Sequence, residues 1–222
     1  MKQNKLKFSL LFLITLVIFL DTNSQEKFSN PIIRGGYPDP SITKVGDTFY
    51  LVNSSFEYFP GLPIQKSKDL INWELIGYGL HRKSQVDSTV NLIDVQSNGG
   101  IHAPTIRHKD GVYYIITTNV YFDEKQKKAD MVNFIITAEN PAGPWSDPIH
   151  ILGAPGIDPD LFFDDDGKVW YVGNQMPENP NFNGEGEIWL QELDINEFIL
   201  VGEKYLLWRG ACGGVWAEGP HM

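Results

Sequence analysis

A short signature recurs four times along the chain, and this repeat constrains the fold more than any other feature. The copies are Tyr37–Ile42, Ile101–Ile106, Gly156–Leu161 and Trp216–His221. Their equivalent positions, 39, 103, 158 and 218, lie 64, 55 and 60 residues apart. Similar units at a nearly fixed spacing indicate a propeller or another repeat architecture, in which equivalent positions converge on a shared axis.

The residues after each of the first three copies predict β-strands. Asp110–Gly111 and Asp166–Gly167 predict tight hairpin turns, because both residue types tolerate a positive φ. The segments that follow, Val112–Ile116 and Val169–Val172, are rich in aromatic and β-branched residues. Each repeat continues with a third and a fourth strand, and no segment has a convincing helical period. The sequence therefore predicts an all-β fold with four antiparallel strands per repeat.

The repeats also predict where the blades begin and end. Blades are expected at residues 35–95, 100–152 and 156–208, and a fourth blade is expected to start at 213–222. A propeller closes by packing its last blade on its first, which about three blades cannot do. The sequence is therefore expected to be a fragment or the product of a truncated gene.

Three tryptophans lie late in successive repeats, at comparable places. They are Trp73, Trp145 and Trp208. Such a set is compatible with sugar stacking, but outer strands more often use large aromatic side chains to pack one blade against the next. We therefore expect all three to be core residues.

The N-terminus predicts export. Lys2, Lys5 and Lys7 precede the apolar run Phe8–Leu20, which is short for a membrane span. Residues 1–24 are expected to be a signal peptide, and residues 25–222 a partial β-propeller catalytic domain of a periplasmic or secreted protein. No stable membrane association is expected after cleavage; an uncleaved N-terminal anchor is the alternative.

Charge and cysteine content exclude some functions. Acidic residues outnumber basic ones by 28 to 18, for a net charge of −10, and no basic cluster occurs beyond the N-terminus. Nucleic acid is therefore not an expected partner. Cys212 is the single cysteine, so no internal disulfide is expected.

Three copies of the signature carry an acid at the equivalent position: Asp39, Asp158 and Glu218. Inverting glycosidases use two carboxyl groups about 6.5–9.5 Å apart, one to activate water and one to protonate the leaving oxygen. A third carboxylate can raise the pKa of the acid. An Asp before Pro is often only a turn residue, but the second copy has Ala103, so the repeat does not itself require an acid.

Several stretches together resemble glycoside hydrolase family 43, whose members are five-bladed propeller enzymes that attack polysaccharides containing arabinose and xylose. The resemblance implies that Asp39 is the general base, Glu218 the general acid and Asp158 the pKa modulator of an inverting mechanism. Asp160 is a further acid nearby, and Asp158 is preferred because it shares the register of Asp39. The matching stretches are Tyr37–Ser41, Phe56–Gly61, Ser67–Trp73, Gly99–Pro104, Ile157–Phe162 and Ala217–His221.

The resemblance also predicts how the sugar is bound. Phe56 is expected to line the sugar pocket. His102 stands where relatives often have Trp, and it is expected either to hydrogen-bond a sugar hydroxyl or to reshape the pocket wall. Phe56–Gly61 and Ser67–Trp73 are most similar to exo-acting β-xylosidases and α-L-arabinofuranosidases.

The expected activity is release of terminal xylose or arabinofuranose from oligosaccharides of xylan or arabinoxylan. The alternative is a non-catalytic sugar-binding propeller or an inactive remnant. No cofactor is expected; family members often hold a structural calcium, for which no ligands are identifiable in this sequence. The oligomeric state and the choice between xylose and arabinose stay open.

Overall fold

The structure is a computed structural model that describes residues 28–86, 90, 92, 95–123 and 128–222. Every strand belongs to one compact unit, Ile33–Met222. The other unit, Met1–Ile32, is described only from residue 28 onward, so the predicted signal peptide at residues 1–24 lies outside the described residues. Within the described part of the chain, no helix is long and apolar enough to cross a membrane.

In the described residues, twelve strands form three antiparallel sheets, and each sheet takes four consecutive strands in sequence order. A 3₁₀ turn, Lys83–Gln85, follows the first sheet. Sheet 1 contains β1 (Ser41–Val45), β2 (Thr48–Val52), β3 (Gly61–Ser67) and β4 (Glu74–Leu80); sheet 2 contains β5 (Gly100–Lys109), β6 (Val112–Asp123), β7 (Lys128–Ala138) and β8 (Ile149–His150); sheet 3 contains β9 (Ile157–Phe163), β10 (Val169–Gln175), β11 (Glu187–Asp194) and β12 (Ile199–Trp208).

The predicted all-β fold is confirmed, as is one repeat for each sheet. The number of blades in a closed propeller and the predicted domain boundaries stay predictions. Residues 209–222, all of which the structure describes, form turns and bends without a strand. The assignment of 213–222 to the start of a fourth blade therefore also stays a prediction.

The two predicted hairpin turns differ in detail. Asp110 and Gly111 both have positive φ, at 50° and 84°, as a two-residue turn with matching strand twist requires. In the second turn only Gly167 does, at 88°, and the amide of Asp164 donates to the carbonyl of Lys168. The second turn is therefore a longer loop that ends in a left-handed glycine.

Sheet 2 lies between the other two sheets and supplies side chains to two separate cores. Ile115 and Ile136 pack in a core with residues of sheet 1, whereas Ile116 and Ile135 pack in a core with residues of sheet 3. All four side chains are fully buried. Successive residues of a strand point to opposite faces, so a continuous apolar run is what a sheet covered on both sides requires.

The three tryptophans have different environments. Trp145 is 1% exposed and packs in the core between sheets 1 and 2, which confirms its prediction. Trp73 is half-buried, and its indole N–H donates to the carbonyl of Leu70. The prediction is wrong for Trp208, which is 51% exposed. The reason is its position on β12, the outermost strand of sheet 3, where the neighbouring residues 205–207 are exposed as well.

Candidate active site

The signature copies surround a cavity of about 450 Å³. This volume is within the range of small-molecule sites. Asp39, Asp158 and Glu218 all contribute to its wall, so the structure brings together the three acids that the sequence singled out. The remaining lining residues are Pro40, His102, Ala103, Pro104, Thr105, Ile157, Gly219, Pro220 and His221.

The first three copies share an unusual backbone conformation at the equivalent position. Asp39, Ala103 and Asp158 have φ of 50°, 40° and 56°, in the left-handed region that non-glycine residues seldom adopt. Asp tolerates this region better than most residues, which is a structural reason for an acid there. Ala103 shows that the conformation forms without an acid. The common backbone geometry explains why Asp39 and Asp158 reach the same cavity.

The fourth copy is built differently, because Glu218 does not itself have a left-handed φ. Left-handed residues flank it instead, with Trp216 at a φ of 61° and Gly219 at 64°. The amide of Trp216 donates to the carbonyl of Gly184 at 2.8 Å, and the Asn174 side chain donates to the carbonyl of Ala217. Contacts of its neighbours therefore place Glu218 at the cavity.

Glycines next to the signature allow close backbone contacts around the cavity. Gly100 has a φ of 81°, and a Cβ there would lie 2.2 Å from the carbonyl oxygen of Phe56. Gly156 has a φ of 79°, and a Cβ there would lie 1.7 Å from the carbonyl oxygen of Asn174. Any other residue at either position would force the chain segments apart.

Asp39 is held by a buried hydroxyl. Ser54 Oγ donates to Asp39 Oδ2 at 2.5 Å, and the Ala103 amide donates to the same Oγ at 2.7 Å. Ser54 is buried, and Asp39 itself is exposed at the cavity. A serine hydroxyl has one proton, and the amide occupies an acceptor position of the oxygen, so the proton points to the carboxylate. Ser54 thus links a residue of the first copy to one of the second.

Asp158 is half-buried and shares the cavity wall with the other two acids. Burial raises the pKa of its carboxyl group, and the charge of Asp39 adds to the rise. The Gly219 amide, which donates to Oδ2 at 3.0 Å, lowers the pKa, as do His102 and His221. The net direction is upward. The Asp158 carboxyl group therefore interacts with the charge of Asp39 and with the imidazoles of His102 and His221.

Glu218 has a raised pKa because its carboxyl group is partly desolvated and faces the charges of Asp158 and Asp39. Among the described residues, none donates a hydrogen bond to this carboxyl group. A hydrogen bond from a donor would favour the ionised form, so its absence leaves the repulsion uncompensated. Glu218 therefore has a raised pKa that no hydrogen bond from the described residues opposes, whereas the Gly219 amide opposes the rise for Asp158.

The two predicted sugar-binding residues lie in different layers. His102 lines the cavity, and its Nε2 is 3.0 Å from the carbonyl oxygen of Asn98. Phe56 does not belong to the cavity lining in the described part of the chain. Its ring meets the ring of His102 edge-on at 4.9 Å, and its backbone pairs with Ile101 of β5. The structure thus places Phe56 against His102, while sugar contact by either residue stays a prediction.

Two residues near the acids were missed by the sequence reasoning. Ser54 holds Asp39, but the contact joins residues fifteen apart and no local motif announces it. His221 lines the cavity and lowers the pKa of Asp158. Its signal was available, because it lies three residues after Glu218 within the fourth copy.

A metal site is not evident in the described ranges, where no three His, Cys, Asp or Glu side chains cluster suitably. The acidic run at 164–166 forms the loop between β9 and β10. Asp164 accepts from the amide of Asp165, and Asp166 from the amide of Lys168. These side chains therefore stabilise the loop.

Comparison with known proteins identifies the family. The model of glycosyl hydrolases family 43 matches residues 28–222. The chain belongs to this family. It is 51% identical to a xylosidase/arabinosidase of Butyrivibrio fibrisolvens over 87% of its length, and 41% identical to a non-reducing end α-L-arabinofuranosidase of Bacteroides ovatus over 96%. The resemblance found in the sequence is confirmed.

A solved family-43 structure has the same fold over most of the chain. The crystal structure of a xylan β-1,4-xylosidase from Bacillus halodurans superposes on 88% of the chain with a TM-score of 0.76 and 40% identity. This protein covers 36% of the length of that xylosidase, and 36% and 37% of the lengths of the two relatives. It thus spans little more than a third of the length of these three proteins.

Proposed function

We propose that the protein is an exported inverting glycoside hydrolase that releases terminal xylose or arabinofuranose from hemicellulose oligosaccharides. The observation that carries the proposal is the cavity with three acids in three different environments. Asp39 accepts a hydrogen bond, Asp158 lies between, and Glu218 has a raised pKa without a donor. Family membership and the names of the relatives support the substrate class.

In the proposed reaction, Asp39 is the general base and Glu218 the general acid. Asp39 takes a proton from water as the water oxygen attacks the anomeric carbon from the face opposite the leaving group. Glu218 gives its proton to the glycosidic oxygen as the bond to the anomeric carbon breaks. The product has inverted configuration, and no covalent sugar–enzyme bond forms.

Asp158 is the proposed pKa modulator. Its negative charge is the largest charge effect that raises the pKa of Glu218. Burial of the Glu218 carboxyl group raises its pKa most, and the charge of Asp158 adds to that rise. The Gly219 amide donates to the Asp158 carboxylate. Because Gly219 directly follows Glu218, this hydrogen bond limits how far Asp158 and Glu218 can move apart.

The sugar is proposed to lie against His102. This side chain is half-buried in the cavity wall, and the edge contact with Phe56 limits its movement. Its Nε2 faces the Asn98 carbonyl, which leaves Nδ1 for a sugar hydroxyl. Phe56 then acts on the sugar through His102.

The wider proposals follow from the family and the N-terminal sequence. The three sheets are proposed to be three blades of a five-bladed propeller, as in the family, and the N-terminal segment to direct export to the periplasm or the outside. The catalytic steps above need no metal or organic cofactor, and a calcium ion, where family members hold one, is proposed to be structural.

Product stereochemistry tests the proposed function. The full-length protein is incubated with nitrophenyl β-xyloside and nitrophenyl α-L-arabinofuranoside, and the anomer formed first is identified by proton NMR. Inverted product from at least one substrate is expected. Retained product would contradict the mechanism, and sugar binding without hydrolysis of either substrate would favour a non-catalytic sugar-binding protein.

A further inference from the structure

Asp160 is a fully buried acid that the proposed reaction does not use. It lies on β9, two residues after Asp158, and is 0% exposed. Arg107 of β5 pairs with it, at 2.6 Å between Nη2 and Oδ2, and the arginine side chain is 21% exposed. A buried ion pair carries a desolvation penalty, so its position relative to the site calls for an explanation.

The pair is fixed rigidly by the two strands that carry it. Asp160 Oδ1 accepts from the Leu161 amide at 2.6 Å. Arg107 donates from Nε to the Leu161 carbonyl at 3.0 Å and from Nη1 to the Ile106 carbonyl at 3.2 Å. Three of the four anchoring contacts are thus to the backbone of Ile106 or Leu161. Such a charge-assisted network holds both side chains in one geometry.

The Asp160 oxygen that pairs with Arg107 also reaches the segment that bears Glu218. Asp160 Oδ2 accepts from the Met222 amide at 2.9 Å, and Arg107 Nη2 lies 3.4 Å from the Met222 backbone oxygen. On the same strand, Asp158 Oδ2 accepts from the Gly219 amide. Residues 209–222 have no strand partner, so these two carboxylates supply hydrogen bonds that a sheet would otherwise provide.

The same carboxylate also lies close to a residue of the cavity wall. His221 Nδ1 is 3.6 Å from Asp160 Oδ2, and His221 lines the cavity beside Glu218. A single buried oxygen therefore faces the arginine, the Met222 amide and the imidazole. Movement of this oxygen would be transmitted to the segment on which Glu218 lies.

We propose that Asp160, fixed by Arg107, is a positioning residue that holds the Gly219–Met222 backbone so that Glu218 meets the glycosidic oxygen. This inference rests on the proposed function. Asp160 does not touch the reacting atoms, and it acts through the placement of the general acid. A misplacement of about 1 Å in such a group costs up to about 100-fold in rate.

The test compares two aryl glycosides in the full-length protein, one with a strongly acidic phenol as leaving group and one with a weakly acidic phenol. In Asp160→Asn, kcat/KM for the weakly acidic phenol is expected to fall about 10- to 100-fold. The activated substrate needs little protonation and is expected to lose much less. The control Glu192→Gln removes an exposed ion pair with Lys168 on the same sheet and is expected to leave both rates unchanged.

A cycle with Glu218→Gln separates positioning from general damage. In that background there is no acid to position, so adding Asp160→Asn is expected to change the ratio of the two substrates no further. Equal losses on both substrates, or full additivity in the cycle, would overturn the proposal. Hydrolysis by the wild type with an unchanged ratio in Asp160→Asn refutes the inference alone, whereas no hydrolysis by the wild type refutes the proposed function.

A second variant guards against loss of folding. Arg107→Met combined with Asp160→Asn leaves no unpaired buried charge, and the same ratio is measured after circular dichroism shows a folded protein. A raised preference for the activated substrate is expected again. Failure of both variants to fold would assign the pair to folding and overturn the positioning role.

Discussion

Asp39 and Glu218 face the same cavity, yet the chain holds them in opposite ways. The carboxylate of Asp39 is held directly, since the buried Ser54 hydroxyl donates to it at 2.5 Å. The carboxylate of Glu218 receives no hydrogen bond from the described residues, and its neighbours Trp216, Ala217 and Gly219 make the contacts instead. A hydrogen bond thus positions the side chain of Asp39, whereas backbone contacts position Glu218.

This difference is compatible with the proposed roles of Asp39 as base and Glu218 as acid. A donor on the carboxylate favours the charged form, whereas nearby negative charges without a donor favour the protonated form. Asp158 lies between the two regimes, because it has both a donor in Gly219 and a charged neighbour in Asp39. In the proposed function, these hydrogen bonds would separate the roles of the acids, which residue type alone does not separate.

Removal of Asp39, the acid that accepts the serine hydrogen bond, is expected to have the largest effect. Asp39→Asn is expected to lower kcat about 10²- to 10⁴-fold on every substrate, because it removes the proposed general base. Steady-state kinetics on the nitrophenyl glycosides provide the measurement. Asp47→Asn, which loses only an exposed ion pair with Lys68, serves as control. Near-normal turnover in Asp39→Asn would exclude it as the base.

Removal of Glu218, which accepts no hydrogen bond from the described residues, is expected to lower kcat/KM by a factor that depends on the leaving group. Glu218→Gln should lower kcat/KM about 100-fold or more on a glycoside with a weakly acidic phenol, and much less on an activated one. The plot of log kcat/KM against the pKa of the phenol becomes steeper. An identical loss across the whole series would remove Glu218 from the acid role.

Ser54→Ala removes the hydroxyl that donates to Asp39 and leaves the carboxylate itself in place. A hydrogen bond to a charged group contributes about 1.5–3 kcal/mol, so kcat is expected to fall roughly 10- to 100-fold. Ser55→Ala is the matched control, since its buried hydroxyl accepts from the Leu62 amide and does not reach the cavity acids. If both variants lose stability while kcat stays unchanged, the hydrogen bond from Ser54 to Asp39 has no role in the reaction.

The smallest expected effect is a shift in the pH profile. The charge of Asp158 raises the pKa of Glu218, so Asp158→Asn lowers that pKa. Glu218 then loses its proton at lower pH, and the alkaline limb of kcat is expected to move to lower pH. Measuring kcat across the alkaline limb for wild type and variant tests the sign, and a shift to higher pH would contradict it.

Sequence patterns predicted the features that depend on local chemistry and on register. The strands follow from aromatic and β-branched runs between turns, and the meeting of Asp39, Asp158 and Glu218 at one cavity follows from their equivalent places in the repeat. Both rest on periodicity, which the sequence displays directly.

Contacts between distant residues were not predictable in the same way. The serine at 54 meets Asp39 only after β1 and β2 have paired, and Arg107 meets Asp160 across two sheets. Phe56 was expected in the sugar pocket, but the bridge of its backbone to Ile101 places its ring against His102. Such outcomes depend on how the sheets pack, which no single segment encodes.

The alanine at position 103 has a consequence for what the cavity prefers to hold. Four converging anions would form a symmetric ring of oxygen ligands, an arrangement suited to a hard divalent cation. A methyl group in the second copy breaks that ring, so the equivalent positions present three carboxyl groups and one apolar side chain to the cavity. Under the proposed function, a sugar ring, which has hydroxyl edges and an apolar face, would meet both kinds of surface.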